Sequence, residues 1–453
     1  MKNKILYVLL FLTSLAVPIL ANSGSESGSH GSAITLLWLV VILIAAKLAS
    51  LVEKIGQPAV LGELIAGVIL GNLVLIGFDF FEGIKTDTFI PFLSELGVVI
   101  LLFQVGLESN ITQMRKVGGT ALVVAVVGVV TPFVLGVWVA GPLIMPGLST
   151  NAYLFLGAAL TATSVGITAR VFRDLGKINT KEARIVLGAA VIDDVLGLII
   201  LAVVSALVTL GAVGIGAISW IIAKAILFLV GAVVLGQMTA PRLGRLMSSI
   251  NPGPGMKLSL ALIFAFLFSY LAAVIGLAPI VGAFAAGLVL DPVHFRSFDK
   301  PHICNQLLKH AENLDLEKKR EIRVITEHNS EKHVEELIEP IAYVLVPIFF
   351  IYTGMSVNLE TMSDPRILGA AIIISIVAFI GKYVTGLFAG KANKQIVGIG
   401  MVPRGEVGLI FATIGRSLGV VNNEVFSIIV IMVILTTFFP PIILSYLLKR
   451  QND

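Results

Sequence analysis

The stretch IVLGAAVIDDVLGLIILAVVSALVTL, Ile185 to Leu210, decides the fold. Its only ionisable residues are the adjacent Asp193 and Asp194. The run exceeds the roughly 20 apolar residues that a helix needs to cross a bilayer. An ionised carboxylate at the bilayer centre costs at least about 2.5–3.5 kcal/mol on insertion scales. Two side by side also repel each other. A chain that carries such a pair uses it, and the usual uses are cation binding, proton relay or both.

The rest of the chain has the same character. Of its 453 residues, 57% are hydrophobic and 13% are charged, which excludes an ordinary soluble enzyme and indicates an all-α polytopic membrane protein. The net charge of +4 needs no nucleic-acid partner. The single cysteine, Cys304, excludes an intrachain disulfide, and no Cys/His cluster suggests zinc. The six histidines, His30, His294, His302, His310, His328 and His333, fall outside the apolar spans, which disfavours a histidine-based intramembrane protease.

Residues 1–21 have two lysines, a short apolar core and a small residue at the end, followed by a Ser/Gly-rich tract, Asn22 to Ser32. This reads as a signal peptide. Thirteen further spans then occupy 33–447. The fifth covers 151–171 and the twelfth 396–416. The ninth, 278–290, is short and rich in glycine and alanine. With the N-terminus outside, and the long 291–337 loop set aside, fifteen Lys and Arg fall on the inner side. Three, Lys85, Arg366 and Arg416, fall on the outer side. The positive-inside rule therefore places the C-terminus in the cytoplasm. A signal peptide fits an N-terminus that must be exported.

Two segments repeat. GQPAVLGELIAGVIL (56–70) and GLAPIVGAFAAGLVL (276–290) align without gaps, with Gly56, Gly62 and Gly67 opposite Gly276, Gly282 and Gly287. Next in each half comes an apolar run ending in Asn: ILLFQVGLESN (100–110) and IFFIYTGMSVN (348–358). The halves, about 56–210 and 276–447, start seven spans apart, and an odd number inverts the second relative to the first. Inverted repeats are characteristic of secondary transporters, with the site at the midplane.

Two spans look interrupted. LTATSVGITARV (160–171) gathers Thr161, Thr163, Ser164 and Thr168 around Gly166. Hydroxyl residues beside glycine can satisfy backbone that leaves helical geometry. VPRGEVGLI (402–410), in the second half, places Pro403 and Gly405 at midspan. Arg404 and Glu406 are expected to neutralise each other and the exposed helix ends. Lys382, within IGKYVTG, is an intramembrane lysine that needs a carboxylate partner. It is either a member of the ion-coupling site or half of a structural salt bridge. Glu63, Arg404 and Glu406 are the supporting ionisable residues.

The motifs QPAVLGELIAGVILG, LGVVILLFQVGLE, LTATSVGITARVF, AAVIDDVLGLI and PRGEVGLIFATIG resemble the cation:proton antiporter-2 family, the bacterial sodium/proton and potassium/proton exchangers. The resemblance runs over about 33–447 and keeps the family's motif order. It implies inverted five-helix repeats, a core with two crossed, discontinuous helices, a separate dimerisation domain and elevator-like alternating access. It implies a homodimer in the bacterial inner membrane. It places sodium at Asp194, with Asp193 beside it facing Lys382 and with Thr163 and Ser164 at the first helix break. The paired aspartates resemble the electrogenic sodium/proton branch. The C-terminal nucleotide-binding domain of some potassium-efflux members is not expected in a chain that ends at Asp453.

The expected activity is therefore monovalent cation/proton antiport, sodium for protons, with both ions competing for one carboxylate site. The expected transported ions are protons and sodium, or potassium or lithium, and no cofactor is expected. Potassium/proton antiport is the alternative, with a sodium-coupled organic-anion symporter behind it. An aspartyl protease would need its two aspartates on different helices, whereas Asp193 and Asp194 point about 100° apart on one. The 291–337 segment, with five of the six histidines, is expected to be a cytoplasmic loop insert in which 303–325 could form an amphipathic helix. Its histidines read better as incidental than as a pH sensor.

Overall fold

The computed structural model describes residues 30–450, leaving out 109–117, 211–214, most of 291–315 and residue 363. The expected signal peptide lies outside the described residues. Every regular element among the described residues is helical.

Helix α1 (His30–Ala49) continues as a 3-10 turn, Ser50–Ile55, and stops at Gly56, whose φ of 77° lies in the left-handed region that favours glycine. Next come α2 (Ala59–Gly71), α3 (Phe89–Glu108) and α4 (Gly119–Val134), the last running on through a π-helical turn to Ile144. The chain continues with α5 (Thr150–Ala159), α6 (Val165–Asp174), α7 (Lys181–Leu210), α8 (Ile215–Ile250), α9 (Pro254–Val274) and α10 (Pro279–Val289). It ends with α11 (Leu316–Met355), α12 (Pro365–Tyr383), α13 (Lys394–Gly400), α14 (Glu406–Ser417) and α15 (Asn423–Arg450).

Nine apolar helical stretches among the described residues are long enough to cross a bilayer, and α2 and α10 are shorter apolar helices. Large apolar side chains remain on their outer faces, such as Trp220, Leu227 and Leu235 on α8, as expected where lipid is the solvent. The expected span at 338–358 is the second half of a longer helix. Helix α11 already begins at Leu316, because 316–337 is built of strong helix formers and contains no proline or glycine. Of the amphipathic helix expected at 303–325, residues 316–325 form the first turns of α11.

The helices pack in two groups. Helices α1, α2, α3, α9, α10 and α11 pack on one another, and α4 to α7 pack with α12 to α15. Glycines set the closest approaches. Gly354 on α11 lies against the Leu64 carbonyl of α2, and a Cβ there would stand 3.0 Å from the Cα of Gly67. Gly106 on α3 lies in the same way against the Phe284 carbonyl of α10, and its Cβ would stand 3.0 Å from the Cα of Gly287. A side chain at any of these four glycines would push two helices apart.

Candidate ion-binding site

Helix α7 packs against α4 and against all four short helices α5, α6, α13 and α14. Those four come from the two spans that look interrupted in sequence. Helix α5 ends at Ala159, the chain is non-helical through Ser164, and α6 begins at Val165. Helix α13 ends at Gly400 and α14 begins at Glu406, with Pro403 and Gly405 between them. Pro403 has no N–H to give to a helical ladder.

The two interruptions lie against each other. The Ser164 backbone N–H donates to the Pro403 carbonyl at 2.8 Å. The Thr168 hydroxyl donates to the Gly400 carbonyl at 2.8 Å and the Thr163 hydroxyl to the Met401 carbonyl at 3.3 Å. These carbonyls stand where a helix end leaves its acceptors unpaired. Gly405 allows the contact, because a Cβ there would lie 2.7 Å from the Cβ of Ser164.

Arg404 is fully buried and binds three elements together. Its Nη1 donates to the Ala162 carbonyl at 2.6 Å, beyond the end of α5, and its Nη2 to the Ala378 carbonyl of α12 at 3.0 Å. Its own carbonyl accepts from the Thr437 hydroxyl of α15 at 2.6 Å. The expected mutual neutralisation of Arg404 and Glu406 is absent among the described residues. Glu406 sits in the first turn of α14, while Arg404 serves carbonyl oxygens. Each charge still answers a helix end: the cation the carbonyl end, the carboxylate the N–H end.

Lys382 Nζ donates to Asp193 Oδ1 at 2.7 Å, and the two side chains are 0% and 1% exposed. The second oxygen of Asp193 has no hydrogen-bond partner among the described residues. Gly128 on α4 makes room for the lysine, since a Cβ there would stand 3.4 Å from Nζ. Gly381 packs against Pro132 of the same helix. Asp194 is buried, and Asp193, Glu406, Lys382 and Glu108 supply the charges acting on it. Asp193, Asp194, Lys382, Arg404 and Glu406 thus occupy one charged neighbourhood, with Thr163 and Ser164 at the crossing. Glu63 is placed elsewhere. It is buried on α2, and its charged neighbours are Lys47 and Glu53. Gly128, Ala378 and Thr437 carry no sequence signal of their part here, because a lone small or hydroxyl residue in an apolar helix is ordinary.

The arrangement holds one carboxylate by an internal cation and leaves its neighbour without a described partner, beside a crossing built from carbonyls and hydroxyls. Such a site suits a dehydrated monovalent cation that trades places with protons.

Comparison with known proteins agrees with this chemistry. The model of the family described as "Sodium/hydrogen exchanger, transmembrane" matches residues 36–304 and 324–450. The high-affinity Na(+)/H(+) antiporter NhaS3 of Synechocystis sp. is 36% identical over 445 residues, covering 90% of this chain and 88% of the relative. The Na(+)/H(+)-K(+) antiporter GerN of Bacillus cereus is 35% identical over 414 residues, covering 90% and 95%. Among solved structures, the sodium proton antiporter MjNhaP1 from Methanocaldococcus jannaschii aligns with a TM-score of 0.62 at 15% identity. The alignment covers 92% of this chain and 99% of that one, a likeness of fold.

Proposed function

Because the chain belongs to the sodium/hydrogen exchanger family, we propose that it exchanges sodium for protons across a membrane, with both ions competing for the Asp193–Asp194 pair. The observation that carries this reading is the buried Lys382–Asp193 ion pair beside Asp194, next to two interrupted helices that meet at Ser164 and Pro403.

Asp194 is the main ion ligand in this account. Thr163 and Ser164 lie at the edge of the site, and Arg404 holds the crossing together. In the cation-free state Lys382 holds Asp193, and arrival of sodium displaces protons. If one proton leaves Asp194 and one leaves Lys382, two protons exchange for one sodium and the cycle moves charge. Counting each interrupted pair as one crossing gives thirteen crossings, with the N-terminus outside and the C-terminus in the cytoplasm of a bacterial cell.

The inverted-repeat reading draws support from the glycine contacts. Gly67 and Gly287 occupy matching positions in the two halves, as do Gly106 and Gly354. Gly354 meets Leu64, Gly67 and Val68, and Gly106 meets their repeat counterparts Phe284, Gly287 and Leu288. An exchange of the two halves turns one contact into the other. Homodimerisation and elevator movement of the second helical group against the first complete the proposal.

A second reading has a specific observation in its favour. The relative GerN carries potassium in its name, and it covers the chain as fully as NhaS3 does. Purified protein in proteoliposomes distinguishes the two. Sodium, and not potassium, should dissipate an imposed pH gradient. Dissipation by potassium alone would replace the sodium assignment, and dissipation by neither would end the antiporter reading.

A further inference from the structure

Two features outside the aspartate site lie along the seam between the helical groups, at opposite ends of α2. Before its first turn, Arg170 of α6 reaches Glu53 in the turn after α1, with Nη1 3.1 Å from Oε1. This ion pair joins residues 117 apart in sequence and ties the first group to the second. Past its last turn, a cavity of about 450 Å³ separates the same two groups. Gly71, Ser94 and Thr353 line it from the first group, and Thr413, Arg416 and Phe426 from the second. Its rim is exposed at Leu75, Glu95 and Ser417.

The two ends of the seam differ: an ion pair joins the groups at one end, and at the other, among the described residues, only hydrogen bonds cross beside the cavity, from Arg416 to the Ser356 carbonyl and from the Asn358 N–H to the Ser427 hydroxyl oxygen. Arg416 has no carboxylate within ion-pair distance among the described residues; its Nη1 donates to the Ser356 carbonyl at 3.3 Å and its guanidinium stacks on Phe426.

We infer that Glu53 and Arg170 form a latch that holds the seam shut on the Lys/Arg-rich face, and that the cavity is the open mouth of the ion route in this state. The inference rests on the proposed alternating access. Moving the second group along the first must break Glu53–Arg170 before that face can open, and must narrow the cavity at the other. The pair is solvent-exposed on both sides, so it adds little to folding. A switch between two states of similar free energy needs little more than that. Removing the latch should change the ratio of the states by about two- to fivefold, the range open to a surface ion pair.

The test reads cavity accessibility. In a Cys304→Ala background, Thr413→Cys places a single thiol in the cavity wall. Purified protein in lipid nanodiscs is labelled with a polar maleimide and the rate is measured. Glu53→Gln and Arg170→Gln should each slow labelling by about 1.5- to 3-fold, because the state with the closed cavity becomes more populated. The exchanged pair, Glu53→Arg with Arg170→Glu, should restore the rate. Both positions are exposed, so the fold should survive, and a size-exclusion profile checks it. Unchanged labelling in the single variants, or failure of the exchanged pair to restore the rate, would overturn the latch. The labelling does not depend on which ion is carried. A wild type that moves no sodium but passes this test would refute the sodium assignment and leave the latch standing.

Discussion

Lys382 Nζ and Asp193 Oδ1 stand 2.7 Å apart with both side chains out of contact with solvent. Removing one partner of a buried pair leaves an uncompensated charge and costs about 3–5 kcal/mol. Removing both can be nearly neutral. Lys382→Gln and Asp193→Asn should each lower the thermal midpoint of the purified protein, and the double variant should recover much of the loss. Additive losses in the double variant would show that the two residues do not stabilise the protein as a pair.

The same lysine tests the stoichiometry. If Lys382 releases a proton when sodium binds, wild-type exchange responds to an imposed membrane potential. Exchange surviving in Lys382→Gln would then be independent of potential. A lysine that only stabilises the assembly predicts unchanged potential dependence in whatever fraction folds. Transport at a series of imposed potentials, for both proteins, decides between them.

Competition fixes the sign of the pH response. Each proton that must leave before sodium binds weakens apparent sodium affinity as pH falls. The half-saturating sodium concentration should rise by up to about tenfold per pH unit for one competing proton and about a hundredfold for two. The maximal rate at saturating sodium should change far less. A half-saturating concentration that stays flat from about pH 6 to about pH 9 would contradict competition.

Gly405 and Ser164 test the crossing. A Cβ at 405 would lie 2.7 Å from that of Ser164, so Gly405→Ala should impair exchange severely. Adding Ser164→Gly removes the clashing atoms and should return part of the activity. Gly405→Ala with normal exchange would mean that the helices do not need this approach.

Arg404 is a test of stability more than of chemistry. Its guanidinium gives hydrogen bonds to Ala162 and Ala378 that a lysine cannot both reproduce. Each bond to a charged group is worth about 1.5–3 kcal/mol. Arg404→Lys should lower the unfolding midpoint measurably, and Arg404→Lys as stable as wild type would remove Arg404 from the bracing of the crossing.

Much of the fold was legible because a bilayer permits few solutions. An apolar run such as Ile185–Leu210 reads as a helix, and an Asp pair within it marks a candidate site. The helix breaks were legible from Pro403, Gly405 and the hydroxyls near Gly166, which are residues that end or rescue a helical ladder. The partners of those residues were not. Arg404 binds carbonyls at 162 and 378, and nothing local in RGE distinguishes that from pairing with Glu406. The room that Gly128 leaves for Lys382 depends on how α4 meets α12, a tertiary fact without a sequence signature. The early start of α11 has only a partial signal in the sequence, because charged residues suit both a loop and a solvated helix.

The central claim is that one carboxylate site binds sodium and protons in turn. Tracer sodium flux and proton flux measured in the same proteoliposomes, for wild type and Asp194→Asn, test it most directly. The account predicts coupled fluxes in the wild type, in a fixed ratio, and loss of both together in a folded Asp194→Asn sample. Near-normal coupled exchange by Asp194→Asn would contradict it.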